Sequence, residues 1–338
     1  KRGAWRRRPW VRRALFVLAL VAIVATILAA VGIRRLSEIG STISTQGAFT
    51  TQTGYMTGAN RVNLLVLGFG GTGHDGAYLT DSMMVISVVP DTGATSMISV
   101  PRDLWVQVPP GSGSYGKLNT AFNDGMQHGF GGYGPGRAAG GAEAANKVSE
   151  ILGISVPYWV TIDFSGFRDL VNALGGVDIT VPVAFTANYP ANDDPAVNAS
   201  WKTIHFKAGP QHMDGERAIE YARARYVTTP ISEASDFARS ARQQLLIRAI
   251  LGKARQVGAW PGLNQAADAL GKTMYSDLSL LDLGLFAQHM DTNHAARIGL
   301  SDQNVLVDAQ SSDGQEILQP ANGDWGAIPR YVQKNLKS

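Results

Sequence analysis

Three polar residues recur on one face of a helix that the sequence predicts to begin at Ser235 or Asp236. Asp236, Arg239 and Gln243 are spaced i, i+3 and i+7, so a helix places them in one stripe. The same stripe continues with the apolar residues Leu246, Ile247 and Ile250. Because an apolar helix face packs on the core, the polar residues also point inward, where a charge needs a partner or a ligand. The positive end of the helix favours an anion there.

Four further cations could join this helix end. Arg223 and Arg225 alternate, so a locally extended chain would place both on one face. Arg102 follows a predicted strand, and Lys117 lies farther along the chain. Clustered arginines favour phosphate through bidentate hydrogen bonds, and several cations together suggest more than one phosphate group. The alternative is that each arginine forms a surface salt bridge, which the helix stripe disfavours for Arg239.

Strands and helices that interleave along the chain must position these residues. We expect strands at 63–68, 82–89, 95–100, 158–163, 177–183 and near 297–307, and helices at 141–152, after Ser165, at 214–223, from 235 to about 257, near 279–290 and at the C-terminus. The Gly-rich segment 110–141 is expected to be a long loop. The pattern predicts an α/β fold with a mixed central sheet flanked by helices, an α-β-α sandwich.

Residues 14–33 are uncharged and long enough to cross a bilayer as a helix. A cleaved signal peptide is the alternative, but its apolar region is usually only about 7–15 residues long. Seven basic residues precede the segment, so the N-terminus is expected in the cytoplasm and the rest of the chain outside. The expected organisation is a basic tail (1–13), a single transmembrane helix (14–33) in the cell membrane, a linker (34–60) and an extracytoplasmic domain (61–338).

Charge and motifs exclude several classes of protein. Nine of the 30 basic residues precede Glu38, so the remainder carries 21 basic against 27 acidic residues, which disfavours nucleic acid as a partner. The absence of cysteine excludes disulfides and thiol chemistry. The G-x-G-x-x-G run at 68–73 lacks the helix that dinucleotide binding requires, and the P-loop-like run at 111–117 is followed by Leu118 instead of Ser or Thr.

An ordered set of short motifs carries a family resemblance. The motifs are Asn63–Gly68, Thr80-Asp81-Ser82-Met83, Pro101-Arg102-Asp103, Lys117-Leu118-Asn119, Gly175-Gly176-Val177-Asp178, Met213-Asp214-Gly215-Glu216, Tyr221-Ala222-Arg223-Ala224-Arg225, Asp236-Phe237-Ala238-Arg239 and Arg242-Gln243. In order and spacing they resemble the LytR-CpsA-Psr (LCP) family over about 63–257. The resemblance implies a Mg²⁺-dependent phosphotransferase that moves a cell-wall glycopolymer from a polyprenyl-pyrophosphate carrier to a peptidoglycan hydroxyl, forming a phosphodiester.

The resemblance also assigns roles to individual residues. The residues expected to bind the pyrophosphate are Arg102, Lys117, Arg223, Arg225, Arg239 and Gln243. Those expected to act in catalysis are Arg102, Arg225, Asp236 and Arg239. Asp81 is expected to bind Mg²⁺, and Asp236 either orients an arginine or accepts the proton of the acceptor. Asp103 is expected to be structural and to pin an arginine or a turn.

The sequence departs from the family pattern at two positions. Many members carry an Asp two residues after the glycine that ends the first strand, and an Arg just before the Thr/Ser-Asp pair. Gly70 and Leu79 occupy these positions here. Asp75 could supply the missing carboxylate to the metal, or it could simply form a turn.

Two other functions remain compatible with the sequence. A polyprenyl-pyrophosphate phosphohydrolase would use the same cations with water as the acceptor. A non-catalytic protein of the cell envelope could bind the lipid and act as a regulator. A cytoplasmic transcription regulator is disfavoured because the folded part is net acidic and is expected outside the membrane.

Overall fold

The structure is a computed structural model that describes residues 59–74, 76–191, 200–254 and 273–338, together with Ser37. The predicted transmembrane segment, 14–33, lies outside the described residues. Within those residues, no helix is both long and apolar enough to cross a membrane.

A six-stranded mixed sheet forms the centre of the fold, in the order β12-β6-β1-β2-β3-β13. Its strands are β1 (Val62–Phe69), β2 (Thr80–Val88), β3 (Thr95–Ser99), β6 (Tyr158–Asp163), β12 (Met274–Ser276) and β13 (Ala296–Gly299). β2 runs antiparallel to both β1 and β3, so the predicted hairpin is confirmed. β1 pairs with β6, and β3 with β13, in parallel.

Helices cover both faces of this sheet. The helices are α1 (Ala121–His128), α2 (Arg137–Leu152), α3 (Phe164–Ala173), α4 (Gly215–Arg223), α5 (Asp236–Ala254), α6 (Leu280–His289) and α7 (Ala327–Asn335). Leu65 and Leu67 of β1 pack with α2 and α7, whereas Leu64, one residue away, packs with α6. Successive side chains of a strand point to opposite faces, which is why β1 is apolar almost throughout. The predicted α-β-α arrangement of a mixed sheet between helices is confirmed.

Smaller sheets complete the fold. β8 (Phe185–Pro190) lies between β9 (Trp201–Phe206) and β11 (Tyr226–Thr229), and β7 (Val177–Val181) pairs with β10 (Gly209–Met213). The remaining pairs are β4 (Trp105–Gln107) with β5 (Tyr115–Lys117) and β14 (Leu306–Gln310) with β15 (Glu316–Pro320). The buried faces of the β7–β10 and β8–β9–β11 sheets share a second core with α4, in which Phe206 lies 5.1 Å from Tyr221 between ring centroids.

Three local predictions were wrong. The segment 110–141 is not one long loop, because it contains β5 and α1 and because α2 begins at Arg137 instead of 141. The cap of α3 is Asp163, whose Oδ1 accepts a hydrogen bond of 2.8 Å from the N–H of Gly166. Ser165, the expected cap, donates its hydroxyl to the same oxygen at 2.8 Å. The strand predicted near 297–307 is two strands, β13 and β14.

A buried acid lies where α1 packs against α2. Glu143 of α2 is fully buried, and its carboxyl oxygens find no hydrogen-bond partner among the described residues. Burial, reinforced by the neighbouring carboxylate of Asp124, raises the pKa of Glu143 to about 8. The folded protein therefore holds a proton on Glu143 that the unfolded chain has released.

We expect Glu143→Gln to stabilise the protein at alkaline pH. Between the ordinary glutamate pKa of 4.5 and the raised pKa of about 8, the unfolded chain loses the Glu143 proton while the folded protein keeps it. The free energy of unfolding of the wild type therefore falls as the pH rises through this range. Because one pKa unit corresponds to about 1.4 kcal/mol, the variant should gain a few kcal/mol in free energy of unfolding at the upper end of this range. Denaturant titrations across the range test this. The exposed Glu316→Gln serves as control, and a gain independent of pH would contradict the assignment.

Candidate functional site

Four strand ends meet at one edge of the central sheet. β1 and β6 end there, β2 begins there, and the chain leaves β3 there towards Arg102, because β1, β3 and β6 run in the same direction and β2 runs opposite. Gly68 of β1 pairs with Ser82 of β2 and with Ile162 of β6. Asp81 and Asp163 are therefore brought to the same edge, although they are far apart in sequence.

A single carboxylate, Asp103, collects three cations at this edge. Lys117 Nζ lies 2.8 Å from Asp103 Oδ1, while Arg102 Nε and Arg225 Nη2 lie 3.4 and 3.9 Å from Oδ2. Burial by itself would raise the pKa of Asp103, but the hydrogen bond from Lys117 and the three positive charges outweigh it and hold that pKa below its usual range. The prediction that Asp103 pins an arginine is confirmed. We call Arg102, Lys117 and Arg225 the cation cluster.

The β4–β5 pair brings Lys117 to Arg102. Trp105 pairs with Lys117 across this ladder, so the chain returns to the end of β3 after the intervening turn. The N–H of Asn119 donates to the carbonyl of Arg102 at 3.1 Å, which holds the two motifs together. Arg102 also donates from Nη1 to Asp81 Oδ1, so it bridges the two carboxylates Asp81 and Asp103.

Arg223 is held by aromatic rings and by an imidazole. Its guanidinium lies 4.0 Å from the centroid of the Phe164 ring, and its Nη1 donates to the hydroxyl of Tyr189 at 3.0 Å. Its Nη2 donates to His74 Nε2 at 2.9 Å, so the Nε2 of this imidazole is the acceptor. A Cβ at Gly70 would come within 2.4 Å of His74 Cγ. Gly70, at the position where the family resemblance leads us to expect an acid, therefore leaves the space that His74 occupies.

The helix α5 contributes the polar stripe predicted from the sequence. Gln243 Oε1 accepts a hydrogen bond of 2.9 Å from the Ser82 hydroxyl, which joins α5 to the start of β2. Arg239 lies one turn earlier on the same helix and is half-buried. Asp236 is the first residue of the helix, and its side chain lies outside the described part of the structure.

Arg242 has a structural role at the base of the site. It is almost fully buried and donates to the carbonyls of Tyr221 and Ala224, at 3.2 and 2.6 Å. It also forms an ion pair of 3.0 Å with Glu233. These contacts hold the end of α4, which carries Arg223 and is followed by Arg225, against α5.

An apolar cavity of about 290 Å³ begins at the same edge and runs between the sheet and helices α3, α5 and α6. One end has a polar rim formed by Asp81, Ser82, Asp163, Arg223 and Gln243. The interior is lined by aliphatic and aromatic side chains, including Leu64, Val160, Leu246, Ile250, Phe286 and Met290. The inward-facing stripe of α5 thus passes from the polar rim at Gln243 into the apolar wall at Leu246.

Two carboxylates on the rim could contribute to a metal site. Asp81 and Asp163 are both oxygen ligands of the kind that Mg²⁺ takes in small numbers together with substrate phosphates. Asp75, the carboxylate proposed from sequence, lies outside the described residues. Among the residues that are described, no group of three or more acidic or histidine side chains is arranged to hold a metal by itself. Asp81 and Asp163 are thus the described carboxylates that could contribute to a metal site, and the binding of Mg²⁺ stays a prediction from the sequence.

The structure brings together most of the residues singled out from the sequence. Arg102, Lys117 and Arg225 meet at Asp103, and Arg223 and Gln243 lie with Asp81 on the rim. Sequence reasoning missed Asp163, although an aspartate between a strand and a Ser-Gly pair is a recognisable helix cap. It also missed His74, for which there is no local signal, because its position depends on a loop folding back over Gly70.

Cations lie at one end of the apolar cavity, an arrangement that suits an amphiphile with an anionic head. The model of the LytR_cpsA_psr family matches residues 32–327, which are most of the chain. The chain therefore belongs to this family.

Relatives of the chain bear the names of teichoic acid transferases. It is 28% identical over 247 residues to the polyisoprenyl-teichoic acid–peptidoglycan teichoic acid transferase TagV of Bacillus subtilis (strain 168), covering 73% of this chain and 54% of TagV. It is also 28% identical over 225 residues to the corresponding TagU of Enterococcus faecalis (strain ATCC 700802 / V583), covering 65% of this chain and 63% of TagU. The chain thus spans between about half and two thirds of these relatives.

Solved structures share the fold. Protein gbs0355 of Streptococcus agalactiae superposes with a TM-score of 0.61 at 22% identity, covering 86% of this chain and 93% of gbs0355. TagV of B. subtilis superposes with a TM-score of 0.56 at 22% identity, covering 82% of this chain and 97% of TagV.

We expect Asp103→Asn to destabilise the protein at neutral pH. The lowered pKa means that the carboxylate stabilises the fold above its ordinary titration range and that this contribution is lost as the pH falls through the pKa of the folded state. The loss should be about 1.5–3 kcal/mol in free energy of unfolding, the usual size for hydrogen bonds to charged groups. Unfolding at several pH values measures it. The exposed Asp308→Asn should have little effect, and a difference that persists undiminished into acid would count against this role of Asp103.

Proposed function

We propose that the protein transfers a phosphorylated cell-wall glycopolymer from a polyprenyl-pyrophosphate carrier to a hydroxyl of peptidoglycan, forming a phosphodiester. The observation that carries the proposal is the apolar cavity with Arg223 on its rim and the cation cluster beside it. The relatives TagV and TagU, which bear the names of polyisoprenyl-teichoic acid–peptidoglycan transferases, support the same class of reaction.

The cavity suits the lipid part of such a donor. Its walls are aliphatic and aromatic, so a polyprenyl chain would be removed from water there at a gain proportional to the apolar area that it buries. The rim lies at one end only, so a chain in the cavity would leave its diphosphate among Arg223, Gln243 and Asp81. The polar rim and the apolar interior of the cavity would therefore orient such a donor, with its diphosphate at the rim and its prenyl chain inside.

The cations suit the diphosphate. Phosphoryl transfer depends on positioning and on neutralising the oxygens around phosphorus. Arg102 and Lys117 already face carboxylates, and a diphosphate could take over part of these contacts through the exposed N–H groups. Arg223 donates hydrogen bonds to His74 and Tyr189, which fix the plane of its guanidinium before the substrate arrives. Arg239 and Arg225 complete the proposed set.

The reaction balances as a single displacement. The acceptor hydroxyl oxygen forms a bond to the phosphorus that carries the glycan, and the bond from that phosphorus to the bridging oxygen breaks. Polyprenyl phosphate leaves with the bridging oxygen, and the hydroxyl proton passes to a base, for which Asp236 is the candidate from sequence. Mg²⁺, held by Asp81 with Asp163 or Asp75, would neutralise charge on the phosphate oxygens.

The proposal places the domain outside the cytoplasmic membrane, anchored by residues 14–33 in the lipid bilayer. The donor's prenyl chain and the anchor would then share one membrane, while the acceptor lies on the outer side. Seven cationic residues before the segment support this orientation.

A phosphohydrolase that uses water remains the second candidate, because the same cations would serve it. An assay with labelled lipid-linked donor and peptidoglycan oligomers separates the two. Label that becomes attached to peptidoglycan supports transfer, and free phosphorylated glycan as the sole product supports hydrolysis. Binding of the donor with neither product would favour the regulatory, non-catalytic alternative.

We expect Arg102→Ala and Arg239→Ala each to lower the rate of transfer by at least about a hundredfold, the usual loss when one preorganised donor to a transition state is removed. The rate of labelled phosphodiester formation measures this. Arg330→Ala is the matched control, because Arg330 is exposed and pairs with Asp324 away from the site. Transfer at the wild-type rate in both site variants would remove these arginines from the mechanism.

We expect Ala287→Trp to weaken binding of long polyprenyl donors by at least about tenfold, because the indole would fill part of the apolar cavity that Ala287 lines. Binding of a geranyl diphosphate analogue, which needs less of the cavity, should change less. Calorimetric titration with both lipids measures the difference. Gln288→Trp, on the exposed side of the same helix, is the control. Equal losses for long and short chains would argue against the cavity as the lipid site.

A further inference from the structure

We propose that the solvent-facing side of the β8–β9–β11 sheet binds the glycan strand of peptidoglycan, with Trp201 and Tyr226 as its stacking surface. The proposal deepens the proposed function and rests on it for the identity of the strand. We call this surface the outer face, and it is formed by Asn188, Trp201, Thr203, His205 and Tyr226.

Two large aromatic side chains stand exposed on the outer face. Trp201 and Tyr226 are 55% and 56% exposed, and their rings meet across the central strand with centroids 5.0 Å apart and planes at 85°. Their aromatic surface is therefore available to a ligand, whereas most large aromatics in the described part of the chain are packed. An aromatic ring carries a negative face that attracts the polarised C–H groups of a pyranose ring.

Strand register surrounds these rings with neutral hydrogen-bonding groups. Asn188 of β8 pairs with Tyr226 on one side and with Thr203 on the other, so the three side chains form a row across the sheet. His205 lies two residues beyond Thr203, and its Nδ1 is 3.0 Å from the Thr186 hydroxyl. Amides and hydroxyls beside an aromatic surface suit a polyhydroxylated ligand, because they can both donate and accept hydrogen bonds.

Among the described residues, the side chains that form the outer face carry no fixed charge. None of the described side chains that form it is Lys, Arg, Asp or Glu. Lys202, which lies between two of its residues, is directed away and pairs with Glu220 at 2.7 Å. A phosphate-rich polymer would call for cations, so the surface favours an uncharged chain such as the β-linked N-acetylhexosamine backbone of peptidoglycan.

The outer face adjoins the cation cluster at one edge. Tyr226 follows Arg225 directly, so the chain passes from the cation cluster to the outer face within one residue. The opposite face of the same sheet presents Tyr189, whose hydroxyl accepts from Arg223 of the rim. A strand stacked on the outer face would extend past this edge and bring a hydroxyl to the rim, which is the geometry an acceptor needs.

Calorimetric titration of the full chain with chitohexaose and with uncross-linked peptidoglycan strands tests the proposal. Both should bind, and Trp201→Ala and Tyr226→Ala should each weaken both by at least about fivefold, since each removes one stacking ring. Trp325→Ala and Tyr133→Ala, which remove exposed aromatics elsewhere, should leave binding unchanged. Thermal unfolding of each variant confirms that it is folded. Failure of the wild type to bind either glycan, or equal binding by all variants, would overturn the proposal.

A second arm distinguishes the acceptor from the donor. In the transfer assay, Trp201→Ala should raise KM for the peptidoglycan oligomer at least about fivefold, with kcat and the KM for the donor unchanged. If Trp201→Ala weakened binding only of the glycan-bearing donor and left binding of undecaprenyl pyrophosphate intact, the outer face would belong to the donor. That result would overturn the proposal. Glycan binding that depends on Trp201 in a protein without transfer activity would support the binding site and contradict the proposed function instead.

Discussion

Positive charge held at the open end of an apolar cavity is the constraint on which the rest of the structure depends. Guanidinium and ammonium groups next to an apolar wall need counter-charges, and Asp103 and Asp81 supply them. Asp103 keeps its negative charge because Lys117, Arg102 and Arg225 surround it and together outweigh its burial. The carboxylates therefore hold the cations in place, where an incoming diphosphate could meet them already oriented.

The α-β-α sandwich provides that arrangement for a geometric reason. Parallel strands end at the same edge, and an antiparallel strand between two of them begins there, so one edge collects loop residues from four strands. The cavity lies on one side of the same sheet, between it and α3, α5 and α6. Polar groups at the edge and apolar packing along the face are thus adjacent. The inward-facing stripe of α5 runs from the polar edge to the apolar face.

The departure from the family pattern at Gly70 has a physical counterpart. A carboxylate at that position would occupy space that His74 fills, and His74 then accepts a hydrogen bond from Arg223. The guanidinium of Arg223 also stacks on Phe164 and donates to the hydroxyl of Tyr189.

The amino-acid sequence by itself determined the class of fold, the alternation of strands and helices, and the residue types of the site. Apolar β-branched runs, the inward stripe of Asp236, Arg239 and Gln243, and ordered arginine motifs are local patterns that can be read along the chain. Tertiary structure alone decided that Arg102, Lys117 and Arg225 share one carboxylate, that Asp163 joins the rim and that His74 reaches Arg223. These contacts join residues separated by up to 149 positions, and no local pattern specifies them, because strand order and loop path set which distant side chains meet.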